Sequence, residues 1–336
     1  MTITSQWLDF LFSKNPTEAW IEILSRIKEQ VPLSYTDIKS HYQETEGKIA
    51  RIDEILQSSA WDLWANFSAA PRGSESVKSF WNKTVGPKSV LILDSLSLRE
   101  VAPLIAQIES VGAEIVSVDF ASSEMPSETK FYAKALGLPG RFSLKNKPLP
   151  SDFKISCEDT FVDTFKKIPF AESDSKIPNA KNIFLWHGWP DDTLHDLAKV
   201  EDAFNRLIDH VRESLDSDGF RGLIKKLSHG RELLITSDHG YCNASAFPPA
   251  HSDQHKELKV LGHKRAKAIN KGDQSAGMTI PPVTLDLGAT PTGGLYKMAV
   301  GRCRPRDAGF PGLTHGGLSL MECVVPLVRV RGGVNG

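Results

Sequence analysis

The sequence predicts an α/β protein, a doubly wound and largely parallel sheet flanked by helices and preceded by a helical amino-terminal region. Three observations predict it. After Gly86-Pro87, short apolar runs alternate with stretches of helical periodicity, the β-α-β order of a parallel sheet. Before that point, residues 1 to about 85 carry helical signals only. At 336 residues the chain can bury a large core, and its composition is that of an ordinary globular protein.

Taken in order, Asn15-Pro16-Thr17 is a helix start, and Trp20, Ile23, Leu24 and Ile27 follow it at i, i+3, i+4, i+7 spacing. A second helical stretch runs from about Ser34 to Leu56. Trp61, Trp64, Phe67, Phe80 and Trp81 make this region dense in aromatic side chains, so it must pack onto something. It reads either as a cap that completes the core of the sheet or as a docking surface for a protein partner. Buried strands are predicted at Ser89–Asp94, Glu114–Asp119, Asn182–His187 and Leu233–Ser237, with helices over 98–112 and 193–216. Two later strands are expected at Leu295 to Val300 and Cys323 to Val330. Residues 141–180 and 241–293 are polar, rich in Pro, Gly and Ser and weakly periodic, which reads as lid-like insertions. The chain thus divides into a helical region, 1–85, and a main domain, 86–336.

Forty basic against forty-one acidic side chains leave a net charge of −1, which excludes strong bulk attraction to nucleic acid; electrostatic recognition has to be local. No run approaches the roughly 18 apolar residues of a spanning helix, and the start lacks a basic then apolar leader. A cytoplasmic protein without a membrane partner is expected. Cys157, Cys242, Cys303 and Cys323 are scattered with no Cys-x-x-Cys spacing, which argues against a zinc ribbon or thioredoxin-type site and suits free, mostly buried thiols in a reducing compartment.

The chemistry-bearing residues fall at the ends of these elements. Asp238-His239 closes the apolar run that begins at Glu232, and Asp94 closes the first strand of the sheet. Asp191 and His195 follow the third strand at Asp-x-x-x-His spacing, so on a helix start they face the same way and can share one ion. His315 stands in the glycine-hinged turn Leu313-Thr-His-Gly-Gly-Leu-Ser319 before the last strand. Each has a bland alternative as a turn former, an N-cap or a hydrogen-bonded turn residue. Together they place carboxylates and imidazoles where open α/β sheets bind ligands, and buried groups of this kind need a partner such as a divalent cation.

Their order along the chain, Asp, then Asp-x-x-x-His, then Asp-His, then a lone His, resembles the metal-ligand order of the alkaline phosphatase superfamily, and from about Ser89 to Val330 the chain resembles its PglZ branch. The supporting motifs are Leu-Ile-Leu-Asp94-Ser-Leu-Ser-Leu-Arg-Glu100, Pro126-Ser-Glu-Thr129, Ile-Thr-Ser-Asp238-His239-Gly and Thr314-His315-Gly-Gly-Leu-Ser-Leu-Met-Glu-Cys-Val-Val-Pro-Leu327. Residues 1 to about 85 lie outside the match. The resemblance implies an alkaline-phosphatase-like fold and a metal-dependent phosphohydrolase, most of all a phosphodiesterase acting on a nucleotide or nucleic acid. It implies Asp94, Asp238, His239 and Thr129 around one ion and Asp191, His195 and His315 around the other. It also implies a role in bacterial anti-phage defence. The rival reading is a metal-binding scaffold or regulatory subunit of a larger defence or signalling complex, with little turnover.

In the Pro-Ser-x-Thr motif Thr129 matches the superfamily's nucleophile and Ser127 is the fallback; Thr129 would open a helix whose free N–H groups can meet a phosphate. The same four residues are also an ordinary capping sequence. A threonine hydroxyl needs a cation or base to remove its proton, and the mixed carboxylate and imidazole set favours zinc or manganese. Lys130 and Arg141 are candidates for holding the phosphate. The stretch Lys256 to Lys271 carries six basic residues and one acidic, and its Lys264 and Arg265, with Arg302, Arg304 and Arg306, read either as a cationic rim for a polyanion or as a solvated loop. Cys303-Arg-Pro-Arg306 is near a sulfatase signature, but its second Arg is one residue early and it lies far beyond the nucleophile loop.

Overall fold

A computed structural model describes residues 5–145, 155, 159–273, 279–306 and 309–332. The central sheet is built from β1 (Lys88–Leu93), β2 (Glu114–Ser122), β3 (Thr160–Phe165), β4 (Asn182–His187), β5 (Glu232–Thr236) and, last in the chain, Val324–Arg331. That last strand is β11, after β6 (Cys242–Asn243), β7 (Ala266–Ala268), β8 (Thr284–Gly288), β9 (Leu295–Ala299) and β10 (Leu313–Thr314). The sheet order is β2-β11-β5-β1-β4-β3, and only β11 runs against its neighbours.

The middle residues of β1, β4 and β5 are apolar because both faces of the sheet are covered there. Val90 and Ile92 of β1 point into a cluster with Val77, Phe80 and Trp81 of α4 (Gly73–Lys83), and with Tyr132 and Trp186. Leu91 and Leu93 point the other way, against Leu104 and Ile108 of α5 (Val101–Ser110) and against α9 (Ala203–Leu215) and α10 (Asp218–Ser228). The alternation follows from the two-residue period of a strand. Full burial of each aliphatic side chain contributes about 1.5–3 kcal/mol.

Asn15 caps α2 (Pro16–Gln30) by accepting from the Glu18 N–H, the start expected from Asn-Pro-Thr. Together with α1 (Ser5–Ser13), α2 and α3 (Ile38–Ser58) place Trp20, Ile23, Ile27, Ile49 and Leu56 in one cluster with Val101 and Ile105 of α5, Met298 of β9 and Val324 of β11. Trp20, Trp64 and Phe67 stack on one another inside it. These aromatic side chains are thus interior groups of a shared core.

Three expectations need correction. Residues 141–180 do not stand outside the core as an insertion, since Thr160–Phe165 is a strand of the central sheet, paired in parallel with β4. It is an edge strand with mixed burial, so it lacks the continuous apolar run that marks β1, β4 and β5. Residues 146–154 and 156–158 of that stretch lie outside the described residues. The strand expected at Leu295 to Val300 forms, as β9, but in a separate antiparallel sheet of order β7-β9-β8. The helix expected over 193–216 is broken in two, α8 (Asp191–Leu197) and α9, at Asp202, which adopts a left-handed conformation (φ 56°).

Cys242, Cys303 and Cys323 are free and buried, and Cys157 lies outside the described residues. Among the described residues no helix is long and apolar enough to cross a membrane.

Candidate active site

Three loops leave the carboxyl ends of adjacent parallel strands and bring the acidic residues together. Asp94 follows β1, Asp238 and His239 follow β5, and Asp191 opens α8 just after β4. The Asp94 N–H donates to His187 O (2.9 Å) and the Asp191 N–H to Asp94 O (3.1 Å), so one loop's backbone fixes the next. Gly240 allows the closest approach, because a Cβ there would lie 2.2 Å from Met321 O.

The candidate ligands form two groups. In the first, Asp94, Asp238 and His239 are all buried, and their donor atoms lie within 4.8 Å of one another. In the second, Asp191, His195 and His315 do the same nearer the surface. His195 Nε2 is 3.2 Å from Asp191 Oδ2, and His315 Nε2 is 3.7 Å from Asp191 Oδ1. The His239 and His315 rings stack across the two groups at 4.3 Å.

Thr129 opens α6 (Thr129–Ala135), and its Oγ1 stands 3.3 Å from both Asp94 Oδ1 and His239 Nε2. Ser127, the fallback, is differently engaged. Its buried hydroxyl donates to Gly317 O (3.2 Å) and accepts from the Gly316 N–H (3.0 Å), while its carbonyl lies 3.1 Å from His315 Nδ1. Ser127 therefore fastens the His-Gly-Gly turn to the Thr129 loop.

Burial and the nearby charges of Asp238 and Asp191 push the Asp94 carboxyl well above its ordinary range. Asp191 goes the other way: against desolvation, the hydrogen bond from His195 and the charges of His315 and His239 hold it well below. His195 is raised by its bond to Asp191, and His315 is lowered by burial and by His239. Asp238 Oδ2 is buried without a hydrogen-bond partner.

Ser95 was not visible as a site residue in the sequence. It is fully buried and left-handed (φ 66°), and it touches both groups. Its N–H donates to Asp238 Oδ1 (3.1 Å), and its hydroxyl lies 2.9 Å from Asp191 Oδ1 and 3.2 Å from His239 Nδ1.

The four residues expected to hold substrate are placed differently from one another. Arg141 is buried and forms an ion pair with Asp94, among the candidate ligands. Lys130 is exposed, tied to Glu128 (2.7 Å) and poised over the Phe131 and Tyr296 rings. With Lys264, His195 and His315 it lines a cleft of about 480 Å³ whose other walls include Leu194 and Leu313. Arg265 lines the same cleft but as a buried, internally paired group. Its fully buried guanidinium donates to Glu322 Oε1 (2.8 Å) and Oε2 (3.0 Å) and to Gly301 O (2.9 Å). Of the three outer arginines, Arg302 pairs with Glu46, while among the described residues Arg304 and Arg306 each use only Nε, on Phe247 O and Ala250 O, and Arg306 is exposed. Cys303 packs with Ala250, Leu258 and Val283 in a separate cluster, which removes the sulfatase signature from the site.

No protein-family model matches the chain, and no curated protein matches it. Solved structures do resemble it. The murine ectonucleotide pyrophosphatase/phosphodiesterase 5 aligns at 16% identity over 74% of this chain and 88% of that one, with a TM-score of 0.48. An inactive variant of the murine protein in complex with AMP aligns at 16% identity over 73% and 88%, with a TM-score of 0.49. The human protein aligns at 13% identity over 73% and 88%, with a TM-score of 0.38.

Proposed function

We propose that the chain is a metal-dependent phosphoester hydrolase that uses Thr129 as nucleophile and acts on a phosphodiester of nucleotide or nucleic-acid type. The observation that carries this reading is the convergence of two carboxylate-imidazole groups on the Thr129 hydroxyl at the carboxyl end of a parallel sheet. The donor set fits a pair of cations. Three carboxylates approach one another with one oxygen, Asp238 Oδ2, buried without a hydrogen bond and 3.4 Å from His239 Nε2, a cost that a cation would remove. His239 has Nδ1 directed at Gly240 O (3.0 Å), which leaves Nε2 facing Thr129.

Asp94, Asp238, His239 and the Thr129 hydroxyl would hold one ion; Asp191, His195 and His315 would hold the other. Mixed oxygen and nitrogen donors suit zinc or manganese. When bound, such a pair supplies positive charge to the attacking and leaving oxygens of an in-line displacement. Thr129 Oγ1, its hydroxyl directed at Asp94 Oδ1, forms the new bond to phosphorus as the ester bond to the leaving group breaks, and the proton that Thr129 releases to water balances the one that the leaving alkoxide takes up from it. Water then cleaves the phosphorylated Thr129 and restores the hydroxyl. Lys130 and Lys264 stand where the rest of the substrate would lie, along the cleft beside His195.

The resemblance to the PglZ branch supports a cytoplasmic defence role for the same chemistry. A scaffold docking partners through the amino-terminal aromatic side chains has less support, since Trp20, Trp64, Phe67 and Trp81 are buried. The test is metal content of the purified chain together with turnover of a chromogenic diester and monoester pair, with and without chelator. Two bound ions and chelator-sensitive diester hydrolysis are expected. A chain that takes up neither zinc nor manganese overturns the reading.

A further inference from the structure

Ser95 is a residue that joins the two candidate ligand groups through side-chain hydrogen bonds, and its protons can be assigned from its partners. Asp191 is the acceptor of the 2.9 Å contact, because a carboxylate oxygen accepts where a hydroxyl donates. The Ser95 hydroxyl is therefore the donor there, and its lone pairs are free for His239 Nδ1 at 3.2 Å. That nitrogen also faces Gly240 O at 3.0 Å, an atom that can only accept. It must carry the proton, shared between Gly240 O and Ser95 Oγ. The His239 Nε2 then presents its lone pair toward Thr129 and Asp94.

The backbone makes the same point independently. A residue at φ 66° is costly for any side chain but glycine, and the strand end needs the turn so that the Ser95 N–H can reach Asp238 Oδ1. Glycine would meet that need alone. A serine there adds a hydroxymethyl group, and its hydroxyl meets one residue from each ligand group.

Resting on the two-ion reading above, we propose that Ser95 is a positioning residue that couples the two ion sites: it holds Asp191 as an oriented carboxylate and fixes the His239 tautomer, so that both groups are set for cations before any arrive. It touches no substrate, and its action on chemistry runs through Asp191 and His239.

The experiment compares chelator-stripped wild type with Ser95→Gly and Ser95→Ala, by zinc titration calorimetry and by melting of the metal-free proteins. Ser95→Gly keeps the N–H bond to Asp238 and relieves the left-handed backbone, so its metal-free melting temperature should equal or exceed that of wild type. Its zinc affinity should fall about 10-fold to 100-fold, the range seen when an outer partner of a metal ligand is lost, with the Asp191, His195 and His315 ion emptied first in anomalous maps. Ser95→Ala should lose the same affinity and also melt lower. Wild-type zinc affinity at both sites in Ser95→Gly overturns the proposal while leaving the two-ion reading intact. A metal-free Ser95→Gly protein that melts well below wild type overturns it too, since the hydroxyl would then be holding the fold. Wild type that binds fewer than two ions overturns the two-ion reading itself and this role with it.

Discussion

Replacing Arg265 by methionine tests whether that residue is an internal counter-ion or a substrate contact. Methionine fills much of the volume and removes the charge. Glu322 would keep the Gly317 N–H (2.8 Å) and the Ser319 hydroxyl (2.6 Å) but lose both guanidinium bonds while remaining fully buried. Breaking a buried pair from one side costs about 3–5 kcal/mol. With an unfolding entropy near 2.1 cal/mol/K per residue, 336 residues unfolding together give about 0.7 kcal/mol/K, so the melting temperature should drop by about 4–7 °C. Because Glu322 also anchors the turn that carries His315, zinc affinity should fall with it. Adding Glu322→Gln removes the stranded charge, keeps an acceptor for Gly317, and should recover more than half of the loss. Calorimetric melts of the three proteins, run beside oligonucleotide binding, decide the matter. A melting temperature within 1 °C of wild type, coupled to lost oligonucleotide binding, would refute the reasoning, since the guanidinium would then be facing a ligand.

Thr129→Ala should lower diester turnover by several orders of magnitude while shifting stability by no more than about 0.5 kcal/mol; a variant that turns over at the wild-type rate means that water attacks directly. His239→Ala should empty the ion beside Thr129 and His315→Ala the ion beside Asp191, which anomalous scattering on each variant distinguishes. If the lysines form a rim, Lys264→Gln with Lys267→Gln should flatten the salt dependence of oligonucleotide binding by about 0.7–0.9 log units per lost phosphate contact, and small diesters should still be cleaved. Burial pushes the Asp53 carboxyl up to about 7, and its Oδ2 has no partner. The folded chain therefore holds a proton there that the unfolded chain releases near the ordinary 3.8. This contribution is complete below pH 4 and is lost as the pH rises to 7, at up to about 1.4 kcal/mol per unit. Asp53→Asn keeps the acceptor for the Leu320 N–H (2.8 Å) and should remove that slope; denaturant curves that stay parallel to wild type between pH 4.5 and 7 would contradict it.

The site was legible wherever a chemical residue ended a strand buried on both sides. Such strands read as unbroken apolar runs, so Asp94, Asp191 and Asp238 announce themselves by position. Thr129 and His315 came from motif order, and the structure brings their loops to the same strand ends. Distant pairing was not legible. Arg265 sits in a lysine-rich run that looks solvated, and its partner is 57 residues away. Arg141 and Asp94, separated by 47 residues, meet in the folded chain, and no local pattern announces that pairing. Ser95 could not be found from pattern at all, since an Asp-Ser pair after a strand is ordinary turn chemistry and its meaning lies in what the hydroxyl touches.

Glu46 of α3 ties two distant loops to one helix. One carboxylate, one-eighth exposed, serves two guanidiniums: Arg99 from the segment after β1 and Arg302 from the segment after β9. Two turns further along the same helix, Asp53 receives the backbone of Leu320, just before β11. A single helix is in this way the common electrical ground of three loops that frame the candidate ligands. A chain cut after residue 85 would not be a smaller version of the same protein, because Arg99 would lose its ion pair with Glu46 and keep Ser97, the Tyr241 carbonyl and the nearby charge of Glu100. Any transplant of the sheet into another context would have to bring α3 along, or supply a carboxylate at the same point in space.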